Sequence, residues 1–185
     1  MRSKFDEQLR LLNQEMMYMG TMIEDSIQKA IEALIAQNAQ LAEKIHRMGM
    51  KFGLWFEPEM ISPDSNLYKE HPDWALQIPG RVGSLCRNQY VLDLTRKEVR
   101  DYAYECVAKI LRSANIEYVK WDMNRQLSEV GNEVFPPERQ REIWHRYVLG
   151  VYEMQERLLT DFPDLLLENC AGGGSRFDAG MLYYS

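Results

Sequence analysis

The chain has 185 residues, enough for one ordinary domain or for parts of two. Its 45% hydrophobic and 27% charged residues are typical of a folded globular protein and exclude a disordered one. The net charge of -6 argues against nucleic acid or an anionic membrane as the main partner. We see no basic stretch followed by an apolar one, as in a signal peptide, at the start of the sequence. No uninterrupted apolar run approaches the ~18 residues of a membrane span, so we expect no membrane segment.

Cysteine and histidine usage indicates neither disulfides nor a metal site. Three cysteines form no CxxC pair, which is typical of reduced thiols, so we expect a cytoplasmic protein. Three histidines are scattered without ligand spacing, so we expect no metal and no cofactor. The six residues are Cys86, Cys106, Cys170, His46, His71 and His145.

The first predicted element is a long amphipathic helical segment over residues 4–45. Its apolar residues recur every three or four positions, which is the spacing of a helical face that packs on other helices. They are Phe5, Leu9, Leu12, Met16, Met19 and Ile23, then, after a one-residue slip, Ile27, Ala30 and Leu34. The pattern favours one helix of a bundle, with a docking helix as the alternative.

The same N-terminal segment is similar to the first helices of the PhoU family, which regulates bacterial phosphate uptake. The resemblance lies in MRSKFDEQLRLLNQEMMYMG and IEDSIQKAIEALIAQNAQLAEKI. The acidic metal-binding motifs of that family lie on later helices, and no such sequence follows here. The resemblance implies two units, a helical segment of residues 1–45 and a second domain of residues 46–185.

From Met50 onward, short apolar runs alternate with helical patterns. The strand-like runs are MKFGLWFE, EYVKWD and LLLENC, with QYVLDL as a weaker fourth. Such an alternation predicts an α/β fold with a parallel sheet.

Two helices are predicted between these runs. Residues 95–113 begin with Thr95 and Glu98 at the spacing of a capping box, and residues 137–160 begin with proline in the first turn. The apolar face of the first helix is Val99, Tyr102, Ala103, Cys106, Val107, Ile110 and Leu111. That of the second is Ile143, Tyr147, Leu149, Val151, Met154 and Leu158.

The predicted strands end in polar residues and tryptophan. They end in residues 55–57, 120–122 and 168–170, which read WFE, KWD and ENC. In parallel sheets the carboxyl ends of the strands face the site. Tryptophan offers a broad apolar face to a sugar ring. The pattern therefore predicts the mouth of a barrel.

Asp122 is the first candidate for chemistry. Lys120 and Asp122 are two positions apart on a strand, so both side chains point to one side. The neighbouring ammonium would hold the carboxylate ionised, and an ionised aspartate in an aromatic pocket suits attack on an acetal carbon. A structural salt bridge at a strand end is the alternative.

Other polar groups are weaker candidates. Burial would raise the pKa of Glu57 and allow it to act as a general acid. The favoured interpretation is that Glu57 braces a loop by hydrogen bonding. The glycines of NCAGGGSR lack the ending of a P-loop and better fit a place where a ligand hydroxyl approaches the backbone. Cys170 is expected to line a pocket rather than act as a nucleophile.

Residues 40–185 resemble the catalytic barrel of bacterial α-galactosidases of glycoside hydrolase family 36, the melibiases. The motifs, in the family's order, are FGLWFEPEMISPDSNLYKEHPDW, LCRNQYVLDLTRKEVRDY, YVKWDMNR and LLLENCAGGGSRFDAGMLYYS. The resemblance implies part of a (β/α)8 barrel. It also implies hydrolysis, with retention and without metal or nucleotide, of terminal α-galactosides such as melibiose and raffinose.

The resemblance also implies roles for individual residues. Asp122 matches the nucleophile that forms the galactosyl-enzyme. The matching substrate-binding residues are Trp55, Arg87, Lys120, Asn124, Cys170 and Gly172.

The resemblance covers only part of the family's barrel. The family's acid/base aspartate follows the MLYYS stretch, and an Asp-Asp-Gly-Trp motif lies on an earlier strand; neither occurs here. The roughly 140 residues from 46 to 185 cannot close a barrel of ~250. We expect self-association through open sheet edges and the N-terminal helix, and little activity of the isolated chain. The alternatives are a non-catalytic helical interaction protein and a join of two unrelated genes.

Overall fold

The computed structural model describes residues 7–8, 10–12, 14–15, 39–171 and 176–185. Most of the predicted helical segment of residues 4–45, including every residue of its apolar face except Leu12, therefore lies outside the described residues. The short described stretches before residue 16 are helical, and Leu12, which belongs to the predicted apolar face, is 54% exposed.

The described chain alternates strands and helices, which confirms the predicted α/β class. Its helices are α1 (Ala39–Arg47), α2 (Asn66–Glu70), α3 (Lys97–Ser113), α4 (Ile143–Asp161) and α5 (Ala179–Tyr184). Its strands are β1 (Gly53–Phe56), β2 (Met60–Ile61), β3 (Tyr90–Val91), β4 (Tyr118–Asp122) and β5 (Leu166–Cys170). Two 3-10 turns span Pro72–Trp74 and Pro137–Glu142. None of the helices in this part of the chain is long and apolar enough to cross a membrane.

The main sheet has three parallel strands in the order β1-β4-β5. Its register aligns Trp55 with Lys120 and Lys120 with Glu168, so the three strands end at one edge. This confirms the predicted parallel arrangement. β1 and β5 are the outer strands of the sheet in the described part of the chain.

The run QYVLDL does not form a fourth parallel strand. β3 pairs antiparallel with β2, in a register that joins Met60 to Val91. The amide of Leu92 also donates to the carbonyl of Glu59 at 2.9 Å, which extends this two-stranded ribbon. The run ends early because Asp93 turns the chain: its Oδ1 accepts the Thr95 amide at 3.1 Å.

The predicted capping box at the start of α3 is wrong. The Thr95 hydroxyl donates to Asp93 Oδ1 at 2.6 Å, and the helix begins only at Lys97, after Arg96, whose side chain forms no capping hydrogen bond. Asp93 is fully buried, and burial raises the pKa of its carboxyl group although Thr95 and Asn132 donate to it.

Helices α3 and α4 share one core with the sheet residues Val119, Trp121 and Leu167. The buried residues of α3 are Val99, Ala103, Tyr104, Val107, Ala108 and Leu111, and the large apolar ones of α4 are Ile143, Tyr147, Val151, Met154 and Leu158. Full burial of such a side chain stabilises the fold by ~1.5–3 kcal/mol. The predicted faces were nearly right, but Tyr102, Cys106 and Leu149 are exposed.

A glycine allows α4 to lie close to the segment that precedes α3. A Cβ atom at Gly150 would lie 2.2 Å from the Leu94 carbonyl oxygen and 3.0 Å from Arg100 Cδ. The first distance is far inside van der Waals contact with a backbone atom, so one of the two segments would have to move.

We expect Gly150→Ala to lower the free energy of unfolding by about 1–3 kcal/mol, because the overpacking outweighs the ~1 kcal/mol of helix propensity that alanine gains. Urea unfolding followed by circular dichroism measures this. Leu149→Ala, at the exposed neighbouring position, is the control and should change stability by less than about 0.5 kcal/mol. A Gly150→Ala variant as stable as the parent would contradict the packing.

Candidate active site

The carboxyl ends of β1, β4 and β5 bring polar side chains to one rim. On β4, Lys120 and Asp122 face one side, whereas Trp121 between them is 1% exposed in the core. Asp122 aligns with Cys170 on β5, and the amide of Met123 donates to the Cys170 carbonyl at 3.0 Å. The parallel register thus places the predicted nucleophile beside a predicted pocket residue.

The carboxylate of Asp122 is held through one of its two oxygens. Oδ2 accepts hydrogen bonds from Trp55 Nε1 at 2.9 Å and from Asn124 Nδ2 at 2.6 Å. The residue is 5% exposed, and its other oxygen, Oδ1, is buried. No N–H or O–H group in the described part of the chain donates to Oδ1.

This environment lowers the pKa of Asp122. Burial by itself raises the pKa, but the hydrogen bonds from Trp55 and Asn124 favour the ionised form and help to outweigh it. The carboxylate is therefore ionised at neutral pH, as its predicted role requires.

Lys120 is not the group that stabilises Asp122, which corrects the sequence-based explanation. Its Nζ lies 2.8 Å from Glu168 Oε1, and this hydrogen bond raises the pKa of Lys120 and lowers that of Glu168. The Tyr118 hydroxyl donates to the other oxygen of Glu168. Lys120 lies on the expected rim but turns toward β5, since Glu168 aligns with it there.

Glu57 connects β1 to Asn124 and to the loop before β3. Its Oε1 accepts from Asn124 Nδ2 at 2.8 Å, its Oε2 accepts from Gln89 Nε2 at 3.2 Å, and Arg87 Nη1 lies 3.5 Å from Oε1. These contacts match the bracing role favoured from the sequence. Asn124 bridges Glu57 and Asp122, so one amide orients both carboxylates.

Arg87 lies at the tip of a tight turn. Cys86 and Gln89 exchange two backbone hydrogen bonds of 3.2 and 3.0 Å around Arg87 and Asn88. Those two residues have φ angles of 53° and 60°, in the left-handed region that non-glycine residues adopt at a cost. The Arg87 side chain is 52% exposed, so it borders the rim near Glu57 and stays open to solvent.

The remaining predicted pocket contacts are Cys170 and Gly172. Cys170 is half-buried at the end of β5, next to Asp122. Gly172 lies outside the described residues. Across the described ranges, no three His, Cys, Asp or Glu residues cluster in a way that could hold a metal ion.

The sequence analysis missed the role of Glu59, which is fully buried behind the rim. Its carboxylate accepts from Trp121 Nε1 and from the Tyr147 hydroxyl, each at 2.7 Å, and from Arg176. Burial and the nearby carboxylate raise the pKa of Tyr147 well above its ordinary value. The sequence signal for a buried carboxylate was the second glutamate in the otherwise apolar stretch FEPEM.

Removing the indole N–H with Trp55→Phe should raise the pKa of Asp122, because the carboxylate loses one of the donors that favour its ionised form. The lowered pKa contributes stability above the unfolded value of ~3.9, and that contribution is lost as the pH falls through the folded pKa. In Trp55→Phe this contribution should be smaller, and its loss should be complete at a higher pH.

An NMR titration of the Asp122 carboxyl carbon measures the shift directly. Trp144→Phe is the matched control, because Trp144 is 52% exposed on α4, and it should leave the titration unchanged. Equal titration curves for Trp55→Phe and the parent chain would show that the indole does not set the acidity of Asp122.

Known proteins with similar sequences include several bacterial α-galactosidases. The chain is 56% identical over 140 residues to Alpha-galactosidase 1 of Pediococcus pentosaceus, an alignment that covers 76% of this chain and 19% of that protein. It is 56% identical over 144 residues to Alpha-galactosidase Mel36A of Lactobacillus acidophilus, covering 78% and 20%. The chain thus spans about a fifth of the length of these relatives.

Solved structures agree in fold. The GH36 α-galactosidase AgaA of Geobacillus stearothermophilus superposes with a TM-score of 0.75 at 54% identity, covering 78% of this chain and 20% of that one. AgaB of the same organism gives a TM-score of 0.77 at 54% identity, covering 80% and 20%. The model of the Melibiase family matches residues 27–185. With that match, and with relatives 56% identical over 140 and 144 residues, this chain belongs to the melibiase family.

Proposed function

We propose that this chain carries the nucleophile-bearing rim of an α-galactosidase-type retaining glycoside hydrolase. The observation that carries the proposal is the asymmetric setting of Asp122. Two donors hold Oδ2, while Oδ1 is buried without an N–H or O–H donor from the described part of the chain. An unpaired buried oxygen costs ~1–3 kcal/mol, and such an oxygen calls for a functional explanation.

The geometry suits nucleophilic attack. Trp55 and Asn124 fix the orientation of the carboxylate, and Oδ1 keeps its electron pairs for the anomeric carbon of the sugar. Attack would form an ester bond between Oδ1 and that carbon while the glycosidic bond breaks. Water would then hydrolyse the ester, which gives overall retention of configuration.

A retaining mechanism also needs a carboxylic acid ~5–5.5 Å from the nucleophile. At this rim Glu57 already accepts from Asn124 and Gln89, and Glu168 pairs with Lys120. Neither carboxylate is therefore placed as a proton donor. The family resemblance assigns this role to an aspartate that follows the MLYYS stretch in the longer relatives.

We assign the substrate class to terminal α-galactosides. Solved complexes of AgaA variants contain raffinose and stachyose, which supports this class for the present chain. Trp55 is 49% exposed and presents an indole face beside the nucleophile. Lys120 and Arg87 supply hydrogen-bond donors around it for sugar hydroxyls. Asn124, whose N–H groups hold Glu57 and Asp122, would contribute its amide oxygen. Cys170 and Gly172 complete the proposed pocket.

We also propose that the chain consists of two units, residues 1–45 and residues 46–185.

We propose further that the chain forms homo-oligomers. Support for self-association comes from the outer strands, where Trp55 on β1 and Leu166 on β5 are 49% and 54% exposed. Unpaired strand edges with exposed apolar side chains favour association.

A trapping experiment tests the nucleophile. 5-Fluoro-α-galactosyl fluoride needs no protonation of its leaving group, and its ring fluorine slows hydrolysis of the ester. We expect mass spectrometry of the treated chain to find one fluorogalactosyl group on the peptide that contains Asp122.

Asp122→Asn should remain unlabelled, because an amide is a poor nucleophile, whereas the control Asp64→Asn, at an exposed position, should label like the parent chain. Labelling that persists in Asp122→Asn would refute the nucleophile assignment, and an unlabelled parent chain would refute activity at this rim.

A further inference from the structure

A buried arginine follows the rim motif. Arg125 comes directly after Asn124, and its side chain is 4% exposed. Its Nη1 donates to the carbonyl oxygens of Ser84 at 3.0 Å and Gln89 at 2.6 Å. Its Nη2 donates to Ser128 Oγ at 2.9 Å. Its Nε donates to the Gln126 carbonyl at 3.2 Å. The buried guanidinium therefore holds the distant Ser84–Gln89 loop through Nη1 and its own loop through Nε and Nη2.

The two carbonyl groups bracket the turn that carries Arg87. Ser84 lies before Cys86 and Gln89 closes the turn, so a single nitrogen of Arg125 holds both ends. Hydrogen bonds from a charged donor are roughly twice as strong as neutral ones, and the planar guanidinium fixes their direction. The left-handed backbone at Arg87 and Asn88 costs free energy, and such contacts compensate for it.

A carboxylate closes the same network. Glu129 Oε2 lies 3.7 Å from Arg125 Nη2, and the Ser84 and Ser128 hydroxyls each donate to Glu129 at 2.5 Å. These two hydrogen bonds are the leading causes that lower the pKa of Glu129, with Ser128 first. Glu129 is ionised as a result and partly balances the buried guanidinium.

We propose that Arg125 is a positioning residue that holds the Arg87 turn at the rim, beside Glu57. Asn124 orients Asp122, and Arg125, one residue later, orients the turn that brings a second cation to the rim. The backbone after β4 thereby fixes the distance between the nucleophile and the proposed sugar-binding arginine. This inference rests on the proposed function for the role of Arg87 but not for the structural link.

Amide hydrogen exchange tests the link without any ligand. In Arg125→Met, the Gln89 amide, which closes the turn, should exchange about tenfold faster or more, because the charge-assisted hydrogen bonds that hold the turn are lost. Arg125→Lys keeps the charge but lacks the planar guanidinium, so the exchange rate of the Gln89 amide should increase by an intermediate amount. Amides in the middle of α4 should stay as slow as in the parent chain, which excludes global destabilisation.

Arg141→Met is the matched control, since Arg141 is exposed, and it should leave the turn unchanged. If Arg125→Met does not fold, Arg125→Lys carries the test. Turn exchange equal to that of the control in whichever Arg125 variant folds would overturn the proposal.

Ligand binding separates positioning from the proposed function. 1-Deoxygalactonojirimycin, found in one AgaA complex, is the probe for calorimetry. Arg125→Met should weaken its binding in the parent chain but cause no further loss in an Arg87→Ala background, because Arg125 acts through Arg87. An equal loss in both backgrounds would overturn this route. No binding to the parent chain would overturn the proposed function and leave the exchange result to decide the link.

Discussion

The hydrogen bond from the Trp55 indole to Asp122 is the interaction on which the rim depends. It joins the ends of β1 and β4 and selects Oδ2 as the restrained oxygen. It forms because the parallel register sets Trp55 beside Lys120, so that its ring reaches the residue two positions further along β4. Asn124 then ties the same oxygen to Glu57, so one carboxylate organises two strands and the loop that follows each.

A second carboxylate supports this rim from behind. Glu59 accepts the indole of Trp121, which immediately precedes Asp122, and the hydroxyl of Tyr147 on α4. Arg176, which follows the glycine-rich segment after β5, donates to it as well. Glu59 thus anchors Trp121 in the core, while the alternation along β4 directs the neighbouring Asp122 to the site.

Local rules predicted much of this arrangement. Alternation along a strand placed Lys120 and Asp122 on one side, and the βα pattern gave the parallel sheet. The partner of Lys120 was missed because it depends on the register with β5, which no local pattern specifies. The capping box failed because the buried Asp93 competes for Thr95. Apart from Leu12, the N-terminal apolar face lies outside the described residues.

At the turn of Arg87 and Asn88, backbone stability and local charge favour different residues. Glycine at position 87 would relieve backbone strain and would also delete a cation beside Glu57. Selection for stability alone would therefore favour a residue that empties this corner of positive charge. In this chain, Arg87 therefore combines a backbone conformation that costs free energy with a positive charge beside Glu57.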